Sequence, residues 1–382
     1  YIYKMKDKYN MDGHKLKWHL DRVKDFSQGK RIAPLHIDLG ITTGCNLACK
    51  YCYGVLQKRT GYGTTYNQRY DMPKEALIRL IKDSKKAGVR SIAFIGEGEN
   101  TLNPALYDAL LIAKEVDLDV SLATNGIILN EEKIDILLST LKWLRVNISA
   151  ATPESYELIH QTDKRVFDRV IENVKKLVKI KKEKNYNTTI GLQMVVIKEN
   201  MDQVVKLAKL GKELGVDYSV FKPCSDTSDK KLDSPDKEYL EMEEIFKEAE
   251  SFSSENYSAI VKRIKMENMG LKKYKVCYGT QFILAISGNG NVFPCGHWFG
   301  FRSCEFLLGN IVKDSFIDII NSERYWEVQK KIQNVNVNQD CESNCRQHYI
   351  NNFLYDLTEH KFSIEEIKPG INEEKPEHIN FI

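Results

Sequence analysis

The chain has no long hydrophobic run and no excess of charge of either sign. No uninterrupted apolar stretch approaches the ~18 residues that a membrane-spanning helix needs, so the sequence predicts no transmembrane helix. Its 56 lysines and arginines against 53 aspartates and glutamates leave a formal net charge of +3, which does not favour nucleic acid as a partner. The first residues lack the apolar segment of a signal peptide. We therefore expect a cytoplasmic protein that binds neither a membrane nor nucleic acid.

The composition is that of an ordinary globular protein. With 382 residues, of which 42% are hydrophobic and 29% charged, the chain is long enough for two domains or one large domain. Its nine cysteines are an odd number without an export signal, which disfavours a disulfide framework. Clustered thiols in such a chain more often bind metal or take part in catalysis, so the cysteines carry most of the functional information.

Predicted strands and helices alternate from about residue 35 to residue 223. Short apolar segments predict strands, and amphipathic segments predict helices, notably at 73–81, 166–182 and 201–214. The predicted strands are 35–41, 91–95, 118–123, 143–149, 188–197 and 217–222. Six strand–helix steps predict an α/β fold with a parallel sheet that helices cover.

The pattern changes after residue 223. A charged helical stretch follows at 237–251, and short hairpins begin at about residue 276. The apolar segments 282–286 and 291–293 flank Ser287-Gly288-Asn289-Gly290, which predicts a β-hairpin. The sequence therefore predicts a second, smaller domain at the C-terminal end.

Three cysteines fall in one loop directly after the first predicted strand. Cys45, Cys49 and Cys52 are spaced x3 and x2, so their thiolates can converge on one cubane cluster and leave one iron without a protein ligand. The loop follows the carboxyl end of a strand, where ligands of parallel sheets bind. Zinc is the alternative, but it needs a fourth ligand nearby, and His36 lies within the strand.

The Cys-x3-Cys-x-aromatic-Cys pattern of this loop resembles the signature of the radical S-adenosylmethionine (radical SAM) superfamily. The resemblance implies a partial (β/α)6 TIM-like barrel. It also implies a four-iron, four-sulfur (4Fe-4S) cluster on Cys45, Cys49 and Cys52, whose open iron binds SAM. In that family the reduced cluster cleaves SAM to methionine and a 5′-deoxyadenosyl radical, which abstracts a hydrogen atom from the substrate. An electron donor of the flavodoxin or ferredoxin type is then needed.

The resemblance also implies SAM contacts at the ends of the later strands. Glu97-Gly98-Glu99-Asn100 stands where relatives have Gly-Gly-Glu-Pro, with two departures from that pattern. Glu99 would accept hydrogen bonds from the SAM ammonium group, and Gly98 would permit a close backbone approach. The other expected contacts are Tyr51, Asn147, Ser149 and Val195. A surface turn, strand-end hydrogen bonding and core packing are the structural alternatives for these positions.

Five further cysteines lie after residue 270. Gly290 stands five positions before Cys295, and the last two cysteines are spaced x3, a pattern that resembles the SPASM/twitch domains appended to radical SAM cores. The resemblance implies one auxiliary 4Fe-4S cluster held by Cys277, Cys295, Cys341 and Cys345. A four-thiolate zinc site and a set of four that includes Cys304 are the alternatives.

The resemblance divides the chain into five parts. They are an N-terminal extension (1–34), a radical SAM core (35–225), a helical linker (226–275), a SPASM/twitch-like auxiliary-cluster domain (276–350) and a C-terminal tail (351–382).

The predicted activity is hydrogen abstraction from a peptide or small-molecule substrate, leading to epimerisation, oxidation or cross-linking. Cys224, which follows the sixth predicted strand, is a candidate hydrogen donor to a substrate radical, and Cys304 is a second one. The structural alternative is that these cysteines are inert small residues. A nucleotide-cyclising enzyme of the molybdopterin type and a non-catalytic iron–sulfur or zinc scaffold are the alternative functions.

Overall fold

One sheet of ten strands organises the part of the chain that the structure, a computed structural model, describes: residues 7–52, 54, 69–226, 230–268, 271–369 and 374–382. The strands are β1 (His36–Leu39), β2 (Ser91–Phe94), β3 (Asp119–Thr124), β4 (Leu141–Asn147), β5 (Thr189–Val196), β6 (Tyr218–Pro223), β7 (Ser258–Val261), β8 (Ile283–Ile286), β9 (Asn291–Phe293) and β10 (Gly309–Asn310). Their order in the sheet is β10-β9-β8-β1-β2-β3-β4-β5-β6-β7. All pairs from β8 to β7 are parallel, whereas β9 is antiparallel to both of its neighbours.

Helices connect the strands. Among the described residues they are α1 (Leu20–Ser27), α2 (Lys74–Ala87), α3 (Ala105–Glu115), α4 (Ile134–Thr140), α5 (Pro153–His160), α6 (Arg165–Glu183), α7 (Val204–Leu214), α8 (Glu238–Glu241), α9 (Glu243–Ser251), α10 (Arg263–Glu267), α11 (Ser303–Phe306), α12 (Phe316–Asn321), α13 (Glu323–Ile332) and α14 (His348–Thr358). No helix in this part of the chain is both long and apolar enough to cross a membrane.

Local sequence explains why these elements form. All eight residues of β5 are buried, as a central parallel strand between two covered faces requires. α6 buries Phe167, Val170 and Val174 at helical spacing and turns its lysines to solvent. Thr152 caps the start of α5: its side chain accepts a hydrogen bond from the Ser155 N–H, and Pro153 is the first helical residue. These contacts fix the helix that ends beside the cysteine loop.

The α/β class with a large parallel sheet is confirmed, and each of the six predicted strands overlaps an observed one. The predicted hairpin is formed by β8 and β9. Boundaries shift by a few residues: α2 extends to Ala87, and the predicted helix 201–214 becomes an α-helix only at Val204, after a 3-10 segment.

The structure differs from the predicted organisation in two places. The segment 226–275, expected to be a helical linker, also contains β7, which extends the sheet beside β6. The hairpin of the C-terminal region joins the same sheet because β8 pairs with β1.

The C-terminal tail, for which the sequence indicated little, packs into the fold. Phe381 is 9% exposed and its ring meets those of His36 and Trp143. Asn380 donates a hydrogen bond to the Asp119 carboxylate at the start of β3. The tail therefore covers the amino-terminal ends of the central strands.

Candidate functional site

The loop with three cysteines lies at the carboxyl end of β1 and rests on the end of α5. The Ala48 and Lys50 N–H groups donate to the backbone carbonyls of His160 and Ile159, at 3.3 and 3.0 Å. Cys52 N–H donates to the Cys49 carbonyl, which closes the turn between two of the thiols. Backbone contacts therefore hold the loop in place independently of the cysteine side chains.

The thiols of this loop lie close enough to affect one another's pKa. Burial raises the pKa of the Cys45 thiol to about 12 and that of Cys49 well above its usual range, and the Cys52 and Cys45 thiols add to the shift at Cys49. Burial likewise raises the pKa of Cys52. Thiolates at these positions thus need a compensating positive charge, which a metal centre supplies.

His160, which the sequence analysis missed, connects this loop to β4. Its Nδ1 lies 3.0 Å from the Cys49 Sγ, and its Nε2 accepts a hydrogen bond from the Ser149 N–H at 3.1 Å. Because the backbone N–H is always a donor, Nε2 must be unprotonated and Nδ1 must carry the hydrogen of the neutral ring. Burial lowers the pKa of His160 to about 3, which keeps the ring neutral. The imidazole therefore donates to the cysteine sulfur.

Glu99 is a buried carboxylate at the carboxyl edge of the sheet, only 4% exposed. One oxygen accepts hydrogen bonds from Thr101 and from the Thr124 hydroxyl at 2.7 Å, and the other accepts from the Asn125 N–H at 2.7 Å. The Asn125 side chain in turn donates to the Asn46 side chain in the cysteine loop at 2.6 Å. This network fixes a negative charge beside the three thiols.

Gly98 is required by a close backbone approach, but the partner is the cysteine loop. A Cβ at this position would lie 2.4 Å from the Thr42 carbonyl oxygen and 2.5 Å from that of Gly44. The Glu99 N–H also donates to the Gly44 carbonyl at 2.8 Å. The glycine therefore allows these two segments of the chain to pair tightly, and its predicted contact with the cofactor stays a prediction.

Two predicted SAM contacts lie at the end of β4. Asn147 is partly exposed, and its side-chain oxygen accepts from the Gln193 amide at 3.0 Å. Ser149 is fully buried, and its hydroxyl accepts from the Val195 N–H at 3.1 Å. Ser149 is therefore already used in strand-end hydrogen bonding, whereas Asn147 faces accessible space.

The remaining predicted contacts form one apolar cluster with Cys224. Val195, Cys224 and Ile159 are buried together, with Tyr51 packed against them. The Tyr51 hydroxyl also hydrogen-bonds to the Cys49 sulfur and to Ser149. The structure thus brings Cys224 next to the first cysteine loop, although the two are far apart in sequence.

A second group of thiols forms in the C-terminal region. The pKa of Cys295 is raised by burial and by three neighbouring thiols, which are those of Cys341, Cys345 and Cys277. Two of these sulfurs accept hydrogen bonds. The Asn351 amide donates to the Cys277 sulfur at 3.4 Å, and the Gln347 N–H donates to the Cys345 sulfur at 3.4 Å. The four predicted ligands therefore lie together. Cys304 is exposed on α11.

The donor sets suit iron–sulfur clusters. Both groups consist of partly buried thiols, and N–H donors are directed at the sulfurs of Cys49, Cys277 and Cys345, which is an environment that suits sulfur ligands of iron. Within the described ranges, no three metal-ligating side chains enclose a space of the size of a single ion. A cubane is a larger body than one ion, so its ligands stand further apart.

Comparisons with known proteins agree with this geometry. Residues 39–211 match the radical SAM superfamily, and residues 277–347 match an iron-sulfur cluster-binding domain, SPASM. A tungsten-containing aldehyde ferredoxin oxidoreductase cofactor-modifying protein of Pyrococcus furiosus is 25% identical over 309 residues, which cover 76% of this chain and 82% of that protein. An AdoMet-dependent heme synthase of Methanosarcina barkeri is 26% identical over 308 residues, with 75% and 82% covered.

A probable GTP 3′,8-cyclase of Saccharolobus islandicus is 29% identical over 189 residues, which cover 49% of this chain and 56% of the cyclase. Among solved structures, Streptococcus suis SuiB bound to its precursor peptide SuiA has a similar fold, with a TM-score of 0.61 and 16% identity over 80% of this chain and 69% of SuiB. Residues 39–211 are therefore a radical SAM domain and residues 277–347 a SPASM domain, and the cofactors of the chain are a SAM-binding 4Fe-4S cluster, SAM and an auxiliary iron–sulfur cluster.

Proposed function

We propose that this chain cleaves SAM reductively and abstracts a hydrogen atom from a peptide or small-molecule substrate, leading to epimerisation, oxidation or cross-linking. The observation that carries the proposal is the convergence of three partly buried thiols and the buried Glu99 carboxylate at the carboxyl edge of the sheet. A peptide substrate is supported by the fold of SuiB, which binds a precursor peptide. A small-molecule substrate is supported by the relatedness to a heme synthase.

Each group of side chains has a distinct part in this proposal. Cys45, Cys49 and Cys52 would hold the SAM-binding cluster, which when reduced supplies the 5′-deoxyadenosyl radical. The Glu99 carboxylate would accept hydrogen bonds from the SAM ammonium group. Thr124 and Asn125 hold both of its oxygens in place, so it is already positioned for that charge. Asn147 would contact the polar part of SAM.

The apolar cluster around Val195 would receive the adenine of SAM. Tyr51 packs against the buried cluster that contains Val195, and this apolar surface would exclude water from the bound adenine. Cys224 belongs to the same cluster, so a thiol hydrogen is available close to the place where a substrate radical would form. Cys224 would therefore be the hydrogen donor to the substrate radical. Cys304, which is exposed, is the second candidate.

The auxiliary cluster would be held by the four thiols of the C-terminal group. It would accept the electron that the substrate radical loses when it is oxidised. Hydrogen bonds connect this region to the end of β6: the Ser343 N–H donates to the Asp226 carbonyl at 2.7 Å, and the Ser225 hydroxyl donates to the Asn344 carbonyl at 3.3 Å. These bonds join the segment between Cys341 and Cys345 to the chain that follows Cys224. A flavodoxin or ferredoxin in an anaerobic cytosol would supply the initial electron.

Iron and sulfide per chain, measured after anaerobic reconstitution, test the cluster assignment. Two 4Fe-4S clusters predict about eight irons, about four when Cys45, Cys49 and Cys52 are replaced by alanine together, and about four when Cys341 and Cys345 are replaced. Cys304→Ala is the matched control and should keep about eight. Release of 5′-deoxyadenosine from SAM under a strong reductant is then expected only when the first group is intact.

The same measurements identify the failures. About four irons in the wild type, falling to none without the first group, would exclude the auxiliary relay and retain the SAM-binding cluster. Clusters without any 5′-deoxyadenosine release would favour a non-catalytic iron–sulfur scaffold.

A second candidate is a nucleotide-cyclising enzyme, which the relatedness to a probable GTP 3′,8-cyclase favours. Consumption of GTP together with SAM by the reconstituted chain would support it. The four thiols in the C-terminal group argue against it, since an auxiliary cluster with four protein ligands has no open iron for a nucleotide.

A further inference from the structure

A cavity of about 230 Å³ lies inside the curved sheet, and its walls include side chains of β1, β2, β4, β5 and β6. Gln193 lines it and donates to Asn147, one of the proposed SAM contacts. Glu342 and Asn344 line it from the segment between Cys341 and Cys345. The cavity lining therefore includes residues that adjoin each of the two proposed cofactor sites, as a substrate-binding space would require.

The cavity wall carries a large excess of positive charge. Six cationic side chains line it against two carboxylates, Asp38 and Glu342. The six are Lys15, Arg145, Lys222, Lys262, Lys265 and Arg346.

Part of this charge is already balanced by groups of the protein. Arg346 Nε lies 3.4 Å from an Asp38 oxygen, and Asp38 is also 3.1 Å from His36 Nε2. Lys15 donates to two backbone carbonyls near the C-terminal end, and Lys265 donates to the Cys345 carbonyl at 2.9 Å. These contacts explain three of the cations and one of the carboxylates.

Arg145, Lys222 and Lys262 are different, and we call these three side chains the cation triad. Among the described residues, none of the three has a carboxylate within 4.0 Å. The Arg145 guanidinium stacks on the Trp143 ring at 5.0 Å and contacts the Tyr218 hydroxyl, while its buried Nε has no hydrogen-bond partner.

The members of the triad repel one another. Burial lowers the pKa of Lys222 to about 8, and the Arg145 charge contributes to that shift. Burial also lowers the pKa of Lys262 far below its usual range, with Arg145 and Lys222 among the neighbours that add to the effect. Asp38 partly offsets the charge of Arg145, and Glu342 partly offsets that of Lys222, although neither carboxylate forms an ion pair with the triad. The remaining repulsion between partly buried cations is costly for a folded chain, and a bound anion removes that cost.

We propose that the cation triad binds an anionic group of the substrate, a carboxylate or a phosphate, inside the barrel between the two cluster sites. The proposal rests on the proposed function, since it names the chemical class of the substrate. Arg145 offers a planar donor suited to either oxyanion, and the lysines offer point charges. An anion held there would fix the rest of the substrate between the two cofactors.

Binding of two probe anions, inorganic phosphate and succinate, to the reconstituted holoenzyme tests the site. Isothermal titration gives the dissociation constant of each probe for the wild type, for Lys222→Met/Lys262→Met and for Lys209→Met. Methionine keeps the length of lysine without its charge. Lys209 is the matched control, because its side chain is 64% exposed and it lies on α7, away from the cavity lining.

The expected result is binding of at least one probe that weakens tenfold or more in the double variant and is unchanged in the control. The probe that binds more tightly identifies the group as carboxylate or phosphate. Failure of both probes to bind the wild type, or equal binding by the double variant, would overturn the proposal. If the double variant does not fold, Lys222→Gln replaces it, with the same tenfold criterion.

Iron content and 5′-deoxyadenosine release, measured on the same wild-type samples, separate this proposal from the proposed function. A wild type with both clusters and SAM cleavage that binds neither anion refutes the anion site alone. A wild type without SAM cleavage refutes the proposed function, whatever the anions do.

Discussion

Replacing His160 by phenylalanine should lower the reduction potential of the SAM-binding cluster. The wild-type imidazole has one possible tautomer, because the Ser149 N–H occupies Nε2 and leaves the Nδ1 hydrogen for the Cys49 sulfur at 3.0 Å. An N–H···S hydrogen bond stabilises the more negative, reduced state of a cluster more than the oxidised state. Without that donor, reduction becomes harder.

The size of the effect follows from the strength of one such bond. Hydrogen bonds to charged groups contribute roughly 1.5–3 kcal/mol in total. If about 1.4 kcal/mol of this is gained only on reduction, the potential falls by about 59 mV for a one-electron couple. The Ser149 N–H also loses its acceptor, which should cost about 1–3 kcal/mol of folding stability.

An anaerobic redox titration followed by electron paramagnetic resonance measures this shift. Cys341 and Cys345 are first replaced by alanine, so that the signal comes from one cluster. His160→Asn places an amide N–H near the position of Nδ1 and should keep the potential near the wild-type value. His160→Gln places its amide near Nε2 and should resemble phenylalanine.

His19→Phe is the matched control. His19 is also fully buried, but its ring nitrogens are bonded to the Ile379 carbonyl and the Arg90 side chain. The reasoning is refuted if His160→Phe keeps the wild-type potential, or if His19→Phe lowers it by the same amount.

Four further predictions follow from individual side chains. Glu99→Gln keeps the shape of the side chain but presents an amide N–H group to the donors of Thr124 and Asn125. SAM binding measured by calorimetry should weaken by tenfold or more while the iron content is retained, and an unchanged affinity would exclude the contact with the SAM ammonium group. Gly98→Ala forces a Cβ to within 2.4 Å of the Thr42 carbonyl oxygen, and we expect a loss of about 1–3 kcal/mol in chemical denaturation; an unaltered midpoint would show that the two segments separate easily. Cys224→Ala should raise the amount of 5′-deoxyadenosine released per product formed, whereas an unchanged ratio would rule out hydrogen donation by this thiol. Burial lowers the pKa of His378 to about 3, so below about pH 6.5 the unfolded chain takes up a proton at this residue and the folded chain does not. The free energy of unfolding should therefore decline as the pH falls from 6.5 to 3. Urea denaturation at pH 7 and pH 5 should show a decline that is smaller by roughly 1–2 kcal/mol in His378→Gln than in the wild type.

Features that depend on residues close together in sequence were predicted well. The spacing of Cys45, Cys49 and Cys52 and their position after β1 can be read directly, because a short loop can bring only nearby residues to one cluster. The parallel sheet and the β8–β9 hairpin follow from apolar periodicity and turn composition, which are local as well.

Features that depend on distant residues could not be predicted. His160 stands 111 positions from Cys49, and a single histidine at the end of a helix carries no signal of what its ring will contact. The sequence predicts only an approach of Gly98 to the cofactor. Its contact with the Thr42 carbonyl could not be predicted, because only the folded chain places the two segments together. The pairing of β8 with β1 was missed since registers between distant strands are set by packing.

The sequence by itself determined the family, the two groups of cysteines and the chemistry that they can support, because cluster ligands are recognised by residue type and spacing. Only the tertiary structure decided what surrounds them: the imidazole on Cys49, the thiol of Cys224 beside Tyr51, and the cation triad inside the barrel. Charge repulsion and hydrogen bonding act through space over a few ångströms. Arg145 on β4, Lys222 on β6 and Lys262 directly after β7 are neighbours only because β4, β5, β6 and β7 are consecutive strands of one sheet.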